Sequence, residues 1–88
     1  MTWTIEFDDR ARKELRKLKK ASQKEILKYL RDKIATTDNP RRFGKSLQSN
    51  LAGLWRYRVR DYRIICNIEG DVLTVLVVKV GHRKKIYD

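Results

Sequence analysis

The sequence predicts an α+β fold: an N-terminal strand, a two-helix antiparallel hairpin, and then three antiparallel strands that form one sheet with the helices on one face. Three observations predict it. Apolar and polar side chains alternate over residues 2–7, as in a half-buried strand. Residues 8–36 carry apolar side chains at helical spacing, and three later segments read as strands. Placing the hairpin over one face of the sheet buries both apolar surfaces.

The first helix is expected to start at Asp8 or Asp9, because a short carboxylate accepts hydrogen bonds from the free amides of a first turn. Its apolar positions are Ala11, Leu15 and Leu18.

The second helix is expected to start at Ser22, since Glu25 follows three residues later, as in a capping box. Ile26, Leu30 and Ile34 form its predicted buried face. A cluster of turn-forming residues at 36–40 ends the helical pattern.

Residues 41–53 are expected to form an irregular connection, followed by strands over 54–60, 62–68 and 72–80. The first of these strands places Trp55, Tyr57 and Val59 on one face. The last is apolar on both faces, which predicts a well-covered strand.

The composition indicates one domain of 88 residues, because two separate cores would each be too small. With Cys66 as the single cysteine, no disulfide can form within the chain, which favours a reducing compartment. No leader-like segment opens the sequence, and no apolar run approaches the roughly 20 residues that span a bilayer. We therefore expect a cytoplasmic protein with no membrane partner.

The net charge of +11 is the strongest compositional signal. Residues 1–44 hold 13 basic and 7 acidic side chains, and the remainder hold 9 and 4, so the excess belongs to the whole domain. Such a charge attracts polyanions. Nucleic acid is the leading candidate partner, and an acidic protein or an anionic membrane surface is the alternative.

The candidate site is a row of arginines on the open face of the sheet. Arg56, Arg58 and Arg60 alternate along one strand, and this row of like charges lowers stability. Folding does not require such a row, so we favour anion binding over a merely solvated face. Arg63 lies on the next strand, but its face depends on a turn register that the sequence leaves open.

The C-terminal segment adds further polar candidates beside one edge of this face. They are His82, Arg83, Lys84, Lys85 and Tyr87. His82 has an ordinary pKa near 7, which suits proton transfer, although a lone histidine is more often structural. No metal-ligand cluster or nucleotide-binding motif is present in the sequence, so no cofactor is expected. The residues alone indicate a basic nucleic-acid binder and leave open whether it is a nuclease.

The order and spacing of several short motifs resemble the RelE toxins of the RelE/ParE superfamily, over nearly the whole chain. The motifs are Gly44-Lys45-Ser46-Leu47, Asn50-Leu51-Ala52-Gly53-Leu54-Trp55-Arg56-Tyr57-Arg58-Val59, Asp61-Tyr62-Arg63-Ile64-Ile65 and Val80-Gly81-His82-Arg83-Lys84-Lys85-Ile86-Tyr87. The resemblance implies cleavage of messenger RNA in the ribosomal A site by 2′-hydroxyl attack, without a metal. It also implies a RelB-like antitoxin as partner, with operator DNA bound only through the antitoxin complex.

The same resemblance assigns roles to residues. Arg58 would help to activate the 2′-hydroxyl, Arg63 would stabilise the phosphorane, and Arg83 would assist the leaving oxygen. Tyr87 would stack on a base, and His82 is a further candidate acid or base. Contacts to RNA or the ribosome are assigned to Arg56, Arg60, Lys45, Lys84 and Lys85.

Two other functions remain open at the level of sequence. A ParE-like toxin shares the fold but inhibits DNA gyrase, and a non-catalytic module would bind only nucleic acid or its antitoxin. Arginine at position 60, where many relatives have glycine, is a departure that could alter the turn or add a phosphate contact.

Overall fold

The computed structural model describes residues 3–81. Strand β1 (Thr4–Phe7) is followed by helices α1 (Asp9–Arg16) and α2 (Lys20–Tyr29). Strands β2 (Lys45–Ser46), β3 (Trp55–Val59), β4 (Tyr62–Glu69) and β5 (Val72–Val80) come after them. This order confirms the predicted α+β class, with the short strand β2 as an addition.

The five strands form one sheet in the order β1-β5-β4-β3-β2. Strands β3, β4 and β5 are antiparallel neighbours, as predicted. The N-terminal strand, whose pairing the sequence did not predict, lies parallel to β5. A parallel pair needs a long crossover connection, and the intervening helices and strands provide it.

The two helices begin for different reasons. Asp8 caps α1, since its carboxylate accepts from the amide of Ala11 at 2.8 Å. The predicted start of α2 at Ser22 is wrong: the helix begins at Lys20, and the Ser22 hydroxyl accepts from that of Tyr62 at 3.1 Å. A partner 40 residues away thus replaces the expected capping box.

The core lies between the helices and one face of the sheet. The helices contribute buried side chains at the predicted positions, including Ile26, Leu30 and Ile34. A π-helical turn at Leu30–Ile34 extends α2 and carries the last two of these inward. The sheet contributes the following buried residues: Tyr57, Ile64, Cys66, Leu73, Val75 and Val78.

A bulge in β5 decides which face its last residues occupy. Ile65 pairs with Val77 and Cys66 with Val75, so the residue between them, Leu76, is an extra residue in the strand. Without this bulge, the alternation that buries Val75 would continue to Lys79 on the core face. With it, Val78 turns inward and Lys79 turns to the open side.

Residues 40–44 lie against β3 through side-chain hydrogen bonds. The Tyr57 hydroxyl donates to the Pro40 carbonyl at 2.7 Å, and the Trp55 indole donates to the Phe43 carbonyl at 2.6 Å. Glycine is required at position 44: the φ of Gly44 is +73°, and a Cβ would lie 2.3 Å from the carbonyl oxygen of residue 56. This segment leads into β2.

Within residues 3–81, no helix is long and apolar enough to cross a membrane.

Candidate functional site

Two of the predicted arginines face each other across neighbouring strands. The register pairs Arg58 on β3 with Arg63 on β4, so both side chains leave the same side of the sheet. This answers the question that the sequence left open about Arg63. Two arginine side chains therefore start side by side on the open face.

Arg56 and Lys45 extend this group toward the sheet edge. Lys45 on β2 is the cross-strand partner of Arg56 on β3. Burial lowers the pKa of Arg56, and the positive charges of Arg58 and Arg63 lower it further. We call Lys45, Arg56, Arg58 and Arg63 the basic face.

Arg56 is the most enclosed member of the basic face, with only 6% of its surface exposed. A charged group in this position is held by its surroundings and cannot sample many rotamers. The basic face therefore has a fixed guanidinium at its base. The sequence pattern, which only alternates residues between two faces, gave no indication of this burial.

The prediction that Arg60 shares the face of Arg56 and Arg58 is wrong. Arg60 is in the two-residue turn between β3 and β4, with φ +55°, so it does not continue the alternation of the strand. Its guanidinium pairs with Glu25 of α2, on the helical side of the sheet. The turn explains both the strained backbone and the new direction of the side chain.

The end of β5 contacts the basic face through Gly81. A Cβ on Gly81 would lie 2.8 Å from Cγ of Arg63, so the absence of a side chain lets the arginine stem pass. The Gly81 amide also donates to the Asp61 carbonyl at 2.7 Å. The chain thus leaves β5 beside Arg63. The predicted site residues His82, Arg83, Lys84, Lys85 and Tyr87 lie outside the described residues.

Comparison with known proteins gives the family. A model described as the ParE toxin of type II toxin-antitoxin system, parDE, matches residues 5–87. The toxin RelG of Mycobacterium tuberculosis is 31% identical over 87 residues, covering 99% of this chain and 98% of the relative. The chain belongs to the RelE/ParE superfamily of toxins.

Solved structures of toxin–antitoxin complexes agree with this family. The RelBE2 complex of Mycobacterium tuberculosis contains a chain that matches the toxin with a TM-score of 0.82 and 26% identity, covering 91% of this chain and 92% of that one. A chain of the archaeal RelE–RelB complex from Pyrococcus horikoshii matches with a TM-score of 0.68 and 27% identity, covering 94% and 99%. The fold of the toxin is thus that of RelE chains.

The basic face of the toxin is suited to binding a phosphate. Guanidinium groups donate paired, coplanar hydrogen bonds to phosphate oxygens and stay charged at any physiological pH. Arg58 and Arg63 approach from adjacent strands, so both can contact one anion. An anion bound there would also reduce the repulsion between them.

Other chemistry has less support in the toxin. Cys66 is fully buried, and burial raises the pKa of its thiol, so it is a core residue and a poor nucleophile. In the part of the chain that the structure describes, no three His, Cys, Asp or Glu side chains are grouped to hold a metal ion.

Sequence reasoning missed three residues that bear on this site of the toxin. Lys79 lies opposite Arg63 in register, and the one charge in the apolar run 72–80 was a usable signal. Glu14 and Glu25 come from the helices, and only the fold brings them to the sheet. No local pattern marks Glu14, and the capping-box pattern assigned Glu25 a different role.

A second surface of the toxin is an apolar groove beside β1. Ile5 and Phe7 of β1 line it together with Leu27, which is 39% exposed. Arg12 and Arg31 lie at its margins, and Glu6 also lines it. The groove therefore combines exposed apolar area with positive charge.

Proposed function

We propose that this toxin is a metal-independent endoribonuclease that cleaves messenger RNA in the ribosomal A site and so inhibits translation. The observation that carries the proposal is the pairing of Arg58 with Arg63 across β3 and β4, with Arg56 two residues along β3 on the same face. RNA supplies its own nucleophile, the 2′-hydroxyl. The protein needs chiefly to bind the phosphate, stabilise added charge and move protons. Because its substrate is on the ribosome, the proposed activity belongs in the cytoplasm.

The proposed reaction forms a bond between the 2′-oxygen and phosphorus and breaks the bond from phosphorus to the 5′-oxygen. The products are a 2′,3′-cyclic phosphate and a 5′-hydroxyl. Arg58 assists loss of the 2′-hydroxyl proton, and Arg63 stabilises the phosphorane by charge-assisted hydrogen bonds. From the family resemblance, Arg83 assists the leaving oxygen, Tyr87 stacks on a base, and His82 is the candidate proton donor or acceptor.

The remaining cations are proposed to bind RNA or the ribosome. Lys45 and Arg56 extend the basic face beyond the Arg58–Arg63 pair, and Lys84 and Lys85 follow it in sequence. Arg60 is left out of this set, since Glu25 already neutralises it on the helical side. The ribosome would supply orientation, so free RNA is expected to be a poor substrate.

Programmed ribosomes test the proposal directly. Purified toxin is expected to cut the message at the A-site codon, and Arg58→Ala and Arg63→Ala are expected to lose most cleavage while remaining folded. Arg31→Ala is the matched control, because it removes one positive charge from an exposed side chain on the helical side. Intact message with the wild-type toxin contradicts the proposal, and so does equal loss in the control.

Gyrase inhibition is the second candidate, and the match to the ParE family model favours it. A DNA supercoiling assay separates the two activities. Stalled supercoiling with intact message indicates the ParE activity. If neither activity is present, a non-catalytic module that binds nucleic acid or its antitoxin is the better explanation. The Arg58–Arg63 pair favours the ribonuclease, because inhibiting gyrase has no evident use for paired phosphate ligands.

We also propose a RelB-like antitoxin as the neutralising partner, with operator DNA bound only through that complex. The toxin chains of the RelBE2 and archaeal RelE–RelB structures are found with antitoxins. The apolar groove with Arg12 and Arg31 at its margins fits an acidic amphipathic segment. Co-purification with the product of the adjacent gene tests this, and Leu27→Asp is expected to weaken the complex without reducing cleavage.

A further inference from the structure

Strand β5 has a free edge over its second half. Strand β1 pairs with Val72 through Val75, and in the described residues no strand continues along that edge to Val80. An open edge exposes backbone amides to other chains or to water. Helix α1 packs beside this part of β5.

Glu14 of α1 contacts this free edge with its carboxylate. One of its oxygens accepts a hydrogen bond from the Val78 amide at 2.9 Å. The other lies 3.9 Å from the ammonium of Lys79 and 3.9 Å from the guanidinium of Arg10. The Glu14 side chain is only 16% exposed, so the contact to Val78 is protected from water. A single acidic group therefore holds both the backbone and a side chain of the strand end.

Glu14 determines where the charged ammonium of Lys79 lies. By register Lys79 stands opposite Arg63, on the side of the sheet that carries the basic face. Its ammonium instead lies at the edge, beside Glu14. A lysine stem of four carbons is long enough to reach either position, and the carboxylate favours the edge. Without the charge of Glu14, the ammonium is free to reach a phosphate held beside Arg63.

We infer that Glu14 is a positioning residue that keeps Lys79 at the sheet edge, so that only guanidinium groups hold a phosphate at the Arg58–Arg63 pair. This inference rests on the proposed binding of RNA there. The ammonium is a compact charge without the planar geometry of a guanidinium. Beside Arg63 it would add binding energy but would draw the phosphate away from the paired hydrogen bonds of Arg58 and Arg63. Glu14 thus improves the orientation of the bound phosphate and lowers the affinity for RNA.

The salt dependence of RNA binding tests the inference, with a short uridylate oligonucleotide as probe. Glu14→Gln removes the charge but keeps an oxygen to accept from Val78. The freed Lys79 is expected to add one phosphate contact, which steepens the slope of log K against log salt by about 0.7. On programmed ribosomes the same variant is expected to bind more tightly and cleave more slowly, a split that simple loss of folding does not produce.

Asp71→Asn is the matched control, since it changes the net charge by the same amount at the far end of β5. Asp71 is exposed in the turn before Val72, roughly 25 Å from Lys79 at the usual rise per strand residue. Its slope is expected to equal that of the wild type. Adding Lys79→Gln to Glu14→Gln is expected to restore the wild-type slope.

Lys79→Gln alone keeps the test decisive if Glu14→Gln fails to fold. Because the ammonium is held away from RNA in the wild type, this variant is expected to leave the slope unchanged. A decrease of about 0.7 would overturn the inference. So would a slope for Glu14→Gln that equals the Asp71→Asn slope. Failure of the proposed ribonuclease is separate, because it appears as intact message on ribosomes while these slopes are measured on free RNA.

Discussion

Replacing Gly81 with alanine tests the link between the end of β5 and the basic face. The added Cβ would lie 2.8 Å from Cγ of Arg63 and 3.4 Å from its Cδ. Ordinary carbon–carbon contacts begin near about 3.5 Å, so the arginine stem must move by roughly 0.7 Å. The guanidinium lies farther along the same side chain and moves with it. A displacement of about 1 Å can reduce catalysis roughly 100-fold, and we expect a loss of about 10- to 100-fold in cleavage.

The stability of Gly81→Ala should change much less than its activity. The backbone at Gly81 lies outside the left-handed region, so alanine fits it without strain. The clash is with a flexible side chain that can move. Alanine also restricts the unfolded chain, which offsets part of the destabilisation caused by the clash, so we expect a net change in the free energy of unfolding of about 1 kcal/mol or less. Single-turnover cleavage on programmed ribosomes and unfolding in guanidinium chloride measure the two effects separately.

Gly70→Ala is the matched control for this experiment. Gly70 is in the turn between β4 and β5 with φ +61°, and a Cβ there meets no atom within 4 Å. Its replacement should cost about 1–2 kcal/mol of stability and leave cleavage intact. Wild-type cleavage by folded Gly81→Ala would refute the role of Gly81 beside Arg63. Equal loss of activity in the two variants would do the same.

Three further predictions concern stability. Gly44→Ala should cost at least about 3 kcal/mol, because positive φ and the contact with the Arg56 carbonyl both oppose a Cβ; near-normal thermal unfolding would contradict this. Tyr57→Phe should cost about 1–2 kcal/mol in chemical unfolding, since the buried Pro40 carbonyl loses its donor; an unchanged midpoint would show that water replaces the hydroxyl. Burial raises the pKa values of the Cys66 thiol and the Tyr57 hydroxyl above their ordinary 9.0 and 10.0, so the folded state retains protons that the unfolded chain loses. The free energy of unfolding should therefore fall by about 1.4 kcal/mol per pH unit above about pH 9 because of Cys66, and by about a further 1.4 kcal/mol per pH unit above about pH 10 because of Tyr57. In chemical unfolding measured across this pH range, Cys66→Ala should remove the part of the decrease that begins at about pH 9.

The sequence predicted most of the sheet because strand alternation is a local property. Tyr57 is fully buried and Arg58 lies on the opposite face, as the pattern on β3 indicated. Strand β2 was missed, since two residues are too few to show a period. The bulge at Leu76 was also missed, because the apolar run 72–80 has no break that marks an extra residue.

The errors at Ser22 and Arg60 have a common physical cause. The pattern at Ser22 satisfied a local rule for a helix start, but the fold gave its hydroxyl a partner on β4. Arg60 satisfied the alternation of a strand, but the chain had already turned and Glu25 was within reach. In each case the fold overrode a local preference that is worth only about 1 kcal/mol, through a tertiary contact at Ser22 and through the turn at Arg60. Sequence periodicity holds no information on such contacts.

The arrangement of charge on the sheet favours a ligand over a purely structural explanation. Lys45 faces Arg56 and Arg58 faces Arg63, and like charges in such pairs destabilise a sheet. Two carboxylates act around this group: Glu25 neutralises Arg60 on the helical side, and Glu14 holds Lys79 at the edge. Both contacts hold a cation away from the arginine pair, one on the helical side and one at the sheet edge. A surface selected only for solubility does not require other cations to be held away from the arginine pair, whereas a phosphate-binding surface does.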